Sequence, residues 1–277
     1  MRRATMNKGV IGIGAITLLL SSPAIADVVH LAVGPRLARA SLLSPSTHRY
    51  LRYLVKADGS RKLVDIWTRQ LTFEPGPDGK RAMHIRQRWD RADGSILLVQ
   101  DSWFEPGSFR PLTHVRRTVQ GAKTSIWGFR FEPRDIKGMP ELAGNDRAGF
   151  DMPQAEGHYN FEYDMELLQA LPLKAGRSFD IPFYDAGIDK QPDRYDFTVA
   201  GSERVKGPDG KDIDCWLLTA DYRTGKVVSR FWFAKANQVL IREVGTLPDG
   251  TTLIKTLLPP EPGDETQSRA AREPDGA

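Results

Sequence analysis

The sequence predicts a mainly β protein: a long antiparallel meander of about twelve strands, wrapped into a barrel or half-barrel, with one short central helix. Three features of the chain predict it. Turn signals built on Asp-Gly recur from Asp58-Gly59 to Asp249-Gly250, and Asp-Gly supplies the positive φ angles that tight hairpins demand. The segments between turns alternate with a period of two, so that Met83, Ile85 and Trp89 share one face and His84, Arg86 and Arg88 the other. Beyond the N-terminus, only residues 160–179 carry a convincing helix signal. Twelve long strands in one open sheet would twist strongly, and wrapping protects the edges. No blade-like repeat of about 40–50 residues is present, which sets a propeller aside.

Residues 1–26 read as a secretory signal peptide. Arg2, Arg3 and Lys8 form a positive start, and residues 9–20 form an apolar run too short to span a bilayer of about 30 Å with ease. Ala24-Ile25-Ala26 offers small residues where signal peptidase reads them, so cleavage is expected between Ala26 and Asp27. The mature chain is then expected in the periplasm, with no transmembrane segment. Residues 27–48, which contain Pro35 and Pro45, read as an irregular lead-in with a helical turn near Pro35 to Leu43.

Residues 49–258 are expected to form a single β-rich domain. Its halves, 49–132 and 178–258, are joined by a loop at 133–157 and a helix at 164–171. The loop is rich in Pro and Gly and reads as a surface excursion, the alternative being a lid or binding loop. Tyr159, Phe161, Tyr163 and Met165 alternate with polar residues, which predicts an extended run into a helix of about two turns. Asp164 suits the N-cap, Glu166 suits the positive end of the helix, and Pro172 stops it. The apolar side, Leu167, Leu168 and Leu171, is too small for the helix to stand alone, so it must dock on the sheet as a plug. Later strands are expected at 178–184, 194–205, 211–222, 226–234, 238–246 and 251–258. Residues 259–277 almost lack large apolar side chains and read as a disordered tail.

Composition excludes several functions. The chain of 277 residues is 40% hydrophobic and 27% charged, which suffices for a core without staples. Removing Arg2, Arg3 and Lys8 from the formal charge of +4 leaves +1, so there is no basic face for nucleic acid. Cys215 is the single cysteine, which excludes an internal disulfide; its alternation with Ile213 and Leu217 reads as a buried strand position. The five histidines, His30, His48, His84, His114 and His158, show no zinc-site spacing. Neither a nucleophile turn nor a nucleotide-binding loop occurs, so no catalytic residue, metal or cofactor is assigned. Asp180, Asp185, Asp189, Asp193 and Asp196 surround Gly187 without calcium-loop spacing and read as a solvated turn.

All six tryptophans fall on expected strands. Trp67, Trp89, Trp127, Phe129, Trp216 and Trp232 are candidates to line a cavity of the kind that small lipophilic ligands enter. The same rings can instead fill the core. Arg69, Arg86, Arg88, Arg116, Arg117, Arg130, Arg230 and Arg242 alternate with the aromatics and read as the wet face, unless some turn inward to pair an anionic headgroup.

Asp164 to Gly176, then Arg194 to Val205 leading into Gly207-Pro208-Asp209-Gly210, resemble the bacterial envelope family known as domain of unknown function 3108. Phe231-Trp232-Phe233-Ala234-Lys235 is similar to its penultimate strand, and Asp101 to Pro106 with Pro111-Leu112 to a hairpin in its first half. The resemblance covers residues 49–258. It implies an exported, β-rich, periplasmic protein and carries no catalytic residues. By shape it invites comparison with periplasmic lipoprotein carriers, whose open half-barrels cover apolar ligands. Three functions are therefore weighed. The first is non-enzymatic binding of a lipid or other apolar or amphiphilic molecule. The second is an envelope scaffold that presents a sheet face or the 133–157 loop to a protein partner. The third is a hydrolase, which needs a Ser or Asp beside a histidine in three dimensions. Expressed with its own leader, the protein is expected to begin at Asp27. The intact mass of the periplasmic product checks this, and a mass that retains residues 1–26 overturns it.

Overall fold

The computed structural model describes residues 27–154, 157–222, 228–247 and 249–261. The expected signal peptide, residues 155–156 of the expected loop, residues 223–227, Pro248 and residues 262–277 of the expected tail lie outside the described residues.

Five hairpins share one local solution. At Asp58, Asp78, Asp93, Asp209 and Asp249, a carboxylate oxygen accepts the backbone N–H two residues on, at 2.8–3.1 Å. The glycine that follows each of them sits at φ between 75° and 82°, a region open to glycine at little cost. Each Asp-Gly pair thus fixes a turn and with it the register of the strands on either side.

These turns organise a sheet of sixteen strands. They are β1 (Asp27–His30), β2 (Ser46–Val55), β3 (Arg61–Pro75), β4 (Arg81–Arg91), β5 (Ile96–Phe104), β6 (Pro111–Gln120), β7 (Lys123–Phe131), β8 (Asp135–Gly138), β9 (Asp151–Pro153) and β10 (Tyr159–Asn160). After the helix α1 (Asp164–Gln169) come β11 (Arg177–Tyr184), β12 (Asp193–Lys206), β13 (Asp212–Ala220), β14 (Ser229–Ala234), β15 (Leu240–Thr246) and β16 (Thr252–Leu257). Strands β2 to β9 follow one another, β11 to β16 do likewise, and β16 pairs with β2 to join the halves. All pairs are antiparallel except that β1 and β10 both run parallel to β11. Among the described residues no ladder joins β9 to β1, β10 or β11, so the sheet wraps without closing.

The strand total exceeds the expected twelve by four short elements, β1, β8, β9 and β10. They are two to four residues long, too short to register as a periodic pattern, and each borrows a partner edge made elsewhere. The lead-in is therefore part strand, with a 3-10 turn at Ala40–Leu42. Residues 133–154 are not a detached excursion. Asn145 donates to the carbonyls of Gly128 and Met139, and Gly138 packs so closely that a Cβ would stand 2.0 Å from the carbonyl oxygen of Arg147.

Side chains close the seam that backbone bonds leave open. Tyr184 and Ala186, at the end of β11, pack on Phe129, Phe131, Ile136 and Met152 from the opposite edge. Arg147 donates to the carbonyl of Gly187 at 2.7 Å, and Gln191 to that of Pro153 at 2.9 Å.

The crossing segment fills the interior. It runs from β10 through a 3-10 turn at Phe161–Tyr163 into α1, which is two residues shorter than expected. Tyr163 takes the N-cap position, and Asp164 is the first helical residue. Met165, Leu167, Leu168 and Leu171 join a core that includes Tyr50, Trp67, Trp89, Phe104, Phe179 and Phe231. Gln238, fully buried, donates its amide to the carbonyls of Gln169 and Leu171 at 2.8 Å each, which satisfies the helix end. Glu166 faces Arg69 across the interior rather than the helix terminus. Removing most of a fully buried side chain from this plug leaves a cavity, and Leu167 is 0% exposed. Leu167→Ala is expected to lower unfolding stability by about 2–5 kcal/mol, read from the urea midpoint.

Candidate functional site

Two places concentrate side chains able to bind or react: a cleft at one end of the barrel and a polar network inside it. The cleft has a volume of about 320 Å³. The start of β2 and the far half of β3 supply His48, Arg49, Gln70, Leu71 and Thr72, and the end of β16 with the chain after it supplies Leu257, Leu258, Pro259 and Pro260. The amide of Leu258 donates to the carbonyl of Arg49 at 2.8 Å, and the Arg49 guanidinium pairs with Glu261 at the rim. Burial lowers the pKa of His48, and the nearby Glu166 partly opposes that shift.

Inside the barrel, Arg69 is 2% exposed. Its guanidinium binds both oxygens of Glu166, the side-chain oxygen of Gln87 at 2.8 Å and the carbonyl of Glu162 at 3.0 Å. Gln87 also accepts from the indole of Trp67 at 3.1 Å. Two further pairs, Arg52 with Asp65 and Lys255 with Glu243, flank the same indole, and the Lys255 ammonium lies 4.2 Å from its centroid. Arg69 thus turns inward, against the wet face expected for it, and its charge is already matched within the chain.

A second set lies around Glu162. Arg116 holds its Oε1 at 2.9 Å and also reaches Asp185 at 3.0 Å. His114 stands with Nε2 3.6 Å from the same oxygen and Nδ1 2.8 Å from Ser102 Oγ. This is a serine beside a histidine, the pairing that a hydrolase needs. Ser102 and His114 are both 0% exposed, however, so no substrate can reach the hydroxyl in this conformation. Burial, and then Arg116, holds the His114 pKa well below its usual value, which keeps the ring neutral. Burial pushes Glu162 up to about 7, with Arg116 opposing and Asp185 adding to the rise.

Several of these polar atoms lack a partner among the described residues: Nε2 of His114, Oε2 of Glu162, Nε of Arg116, both ring nitrogens of His158 and both amide atoms of Asn160. Asn160 lies beside His158, yet no hydrogen bond of normal geometry joins them. Each buried group left so costs about 1–3 kcal/mol, against a total domain stability of about 5–15 kcal/mol.

The aromatic candidates do not converge on one cavity. Trp67 and Trp89 stack at 5.1 Å in the main core, which Trp216 joins from its edge. Trp127 and Phe129 belong to the seam. Trp232 lies on the opposite face from Phe231 and Phe233, in a separate cluster with Cys215 and Val244. Of the remaining histidines, His30 meets Asp180 at 2.7 Å, and His84 sits between Glu74 and Asp101 at 2.7 and 2.9 Å, stacked on Trp103. In the aspartate group, Asp180 holds Arg194, Asp185 holds Arg116 and Asp189 meets Arg147. Arg86, Arg88 and Arg130 are half exposed and follow the expected wet face.

Ser102, His114 and the polar run 158–162 were not singled out as a site in the sequence. Ser102 and His114 are direct partners across β5 and β6, a pairing set by the Gly107 turn together with the register shift between Trp103 and Phe104. His158, Asn160 and Glu162 alternate with Tyr159, Phe161 and Tyr163, and a period of two normally separates a buried from a wet face. Here the run is threaded through the interior, where it has no wet face.

The model of a family described as protein of unknown function, DUF3108, matches residues 64–258. The chain belongs to this family. Among solved structures, this DUF3108 protein is similar to a β-barrel-like protein of the domain of unknown function DUF1849 from Brucella abortus. That likeness has 12% identity and a TM-score of 0.45, and covers 82% of this chain and 98% of that one. It is also similar to a DUF1329 family protein from Desulfovibrio piger, with 12% identity and a TM-score of 0.27 over 81% and 92% of the two chains. No curated protein matches the sequence.

Glu162 allows a test by pH. Its folded pKa lies above the unfolded value, so the stability linked to its proton is fully present below about pH 4.5 and is lost as pH rises through about 7. Lowered histidines such as His158 act in the opposite sense, and a comparison with Glu162→Gln cancels them. The variant is expected to gain stability relative to the parent between about pH 4.5 and 7, by on the order of 3 kcal/mol, and the difference is expected to flatten above that. Urea midpoints across this range check it.

Proposed function

We propose that this DUF3108 protein is exported to the periplasm and there binds one end of an apolar or amphiphilic molecule, such as a lipid, without chemical turnover. The observation that carries the reading is the cleft at the barrel end. Its volume of about 320 Å³ is at the lower limit for small-molecule sites. Leu71, Leu257, Leu258 and the prolines give it an apolar lining, while His48, Arg49 and Gln70 give polar anchors. Because the plug and aromatic core fill the interior, the guest lies at the mouth and does not thread the barrel. Trp67 and Trp89 do not line the cleft and serve as core packing.

Export is supported by the leader-like residues 1–26, with their positive start, apolar run and Ala24-Ile25-Ala26. The first described strand carries Asp27, whose carboxylate accepts from Arg177 at 2.8 Å. Binding without turnover at the cleft is supported by the position of Ser102 and His114, which are fully buried and lie outside its lining.

Native mass spectrometry of protein taken from the periplasm, followed by lipid extraction, tests the reading. A bound lipid or similar molecule is expected, and Leu258→Asp is expected to lose at least tenfold of it while the near-ultraviolet circular dichroism stays unchanged. Protein that carries no adduct in repeated preparations overturns the proposal.

A further inference from the structure

The polar groups threaded through the interior outnumber the partners the described residues give them. His158, Asn160 and Glu162 stand two apart along one run, and His114 faces Glu162 from β6. All four are at least nine-tenths buried, at 1%, 0%, 5% and 0% exposure. Their unpartnered atoms, with Nε of Arg116, are mixed in kind. Asn160 Nδ2 and Arg116 Nε donate, Asn160 Oδ1 and an ionised Glu162 Oε2 accept, and a neutral His158 ring does one of each.

That mixture selects a guest. A metal cation would meet the N–H donors, and among the described residues no three His, Cys, Asp or Glu side chains converge to hold one. An anion would meet the carboxylates of Glu162 and Asp185, both already shared by Arg116. A hydroxyl group donates and accepts at once, and so suits both kinds of atom. We propose that His114, His158, Asn160 and Glu162 form an interior site for a small uncharged hydroxylic guest, which is either bound water or a hydroxyl-bearing organic molecule. Buried water commonly makes about three bonds to groups that otherwise lack partners.

The site adjoins the seam. The His158 ring lies 5.0 Å from that of Tyr184 and 5.7 Å from that of Phe131, both seam residues. A guest can therefore reach it by parting side-chain contacts, with no ladder to break. None of its four side chains lines the mouth cleft, so the two proposals stand or fall separately.

A crystal structure of the full mature protein, at a resolution that shows water, tests the site. Density is expected within hydrogen-bond reach of at least three of the four side chains. Its shape, with the mass of a small-molecule extract, separates water from an organic guest. The four side chains bonded directly to one another, with no guest, overturn the proposal. The thermal midpoint of Asn160→Leu gives a second reading. If a guest is held, leucine displaces it and the midpoint falls by about 3–6 °C. If none is held, exchanging unpartnered polar atoms for apolar ones raises the midpoint, which also overturns the proposal.

Discussion

A buried guanidinium sets the interior of this protein. Arg69 projects from β3 into a space with almost no solvent, where an unmatched charge would be far more costly than any single apolar contact is favourable. It is matched by Glu166 from α1, Gln87 from β4 and the carbonyl of Glu162. These partners can reach it only if the crossing segment passes through the barrel at this height. The short helix is thus positioned by a charge requirement, and its leucines then complete the core around it. Gln238 fixes the far end by accepting the role of C-terminal cap.

Filling the interior in this way leaves no open apolar lumen along the barrel among the described residues. The inward cations Arg69, Arg52 and Lys255 each have a carboxylate partner from the same chain, so they are not free to receive an anionic headgroup. One concave surface with an apolar lining lies at the barrel end, beneath the chain that leaves β16. The seam carries a different consequence. Because β9 and β11 meet through rings and a few side-chain hydrogen bonds, the polar run 158–162 beside them lies behind the least tightly bonded wall of the sheet.

Much of the fold was legible residue by residue. Each Asp-Gly pair encodes its own turn, because the carboxylate reaches the amide two residues on and glycine alone relaxes at the φ required. Long strands such as β4 and β12 show their period directly, and the plug was legible because Pro172 ends a helix too short to survive unpacked. The candidate site was less legible. The six aromatic residues share a strand pattern, yet β-bulges at Gly201 and beside Trp232 change which face a position occupies. Period-two reading gives the face of a ring within its own strand, while the wrapping of the sheet decides that Trp67, Trp127 and Trp232 end in three different clusters.

The sequence by itself determined the local geometry: which segments extend, where they turn and which adjacent strands pair. Those outcomes depend on contacts within about a dozen residues, and the chemistry of the turn or the alternation is written in that span. Tertiary structure decided what lies across the barrel: the parallel pairing of β1 and β10 with β11, the unclosed seam, and the interior partners of Arg69 and Glu162. These join residues from 24 positions apart, for β10 with β11, to 150 apart, for β1 with β11, where no local period carries information. Wrapping also settles whether a polar face looks outward to water or inward to other side chains, and for His114, His158 and Glu162 it looks inward.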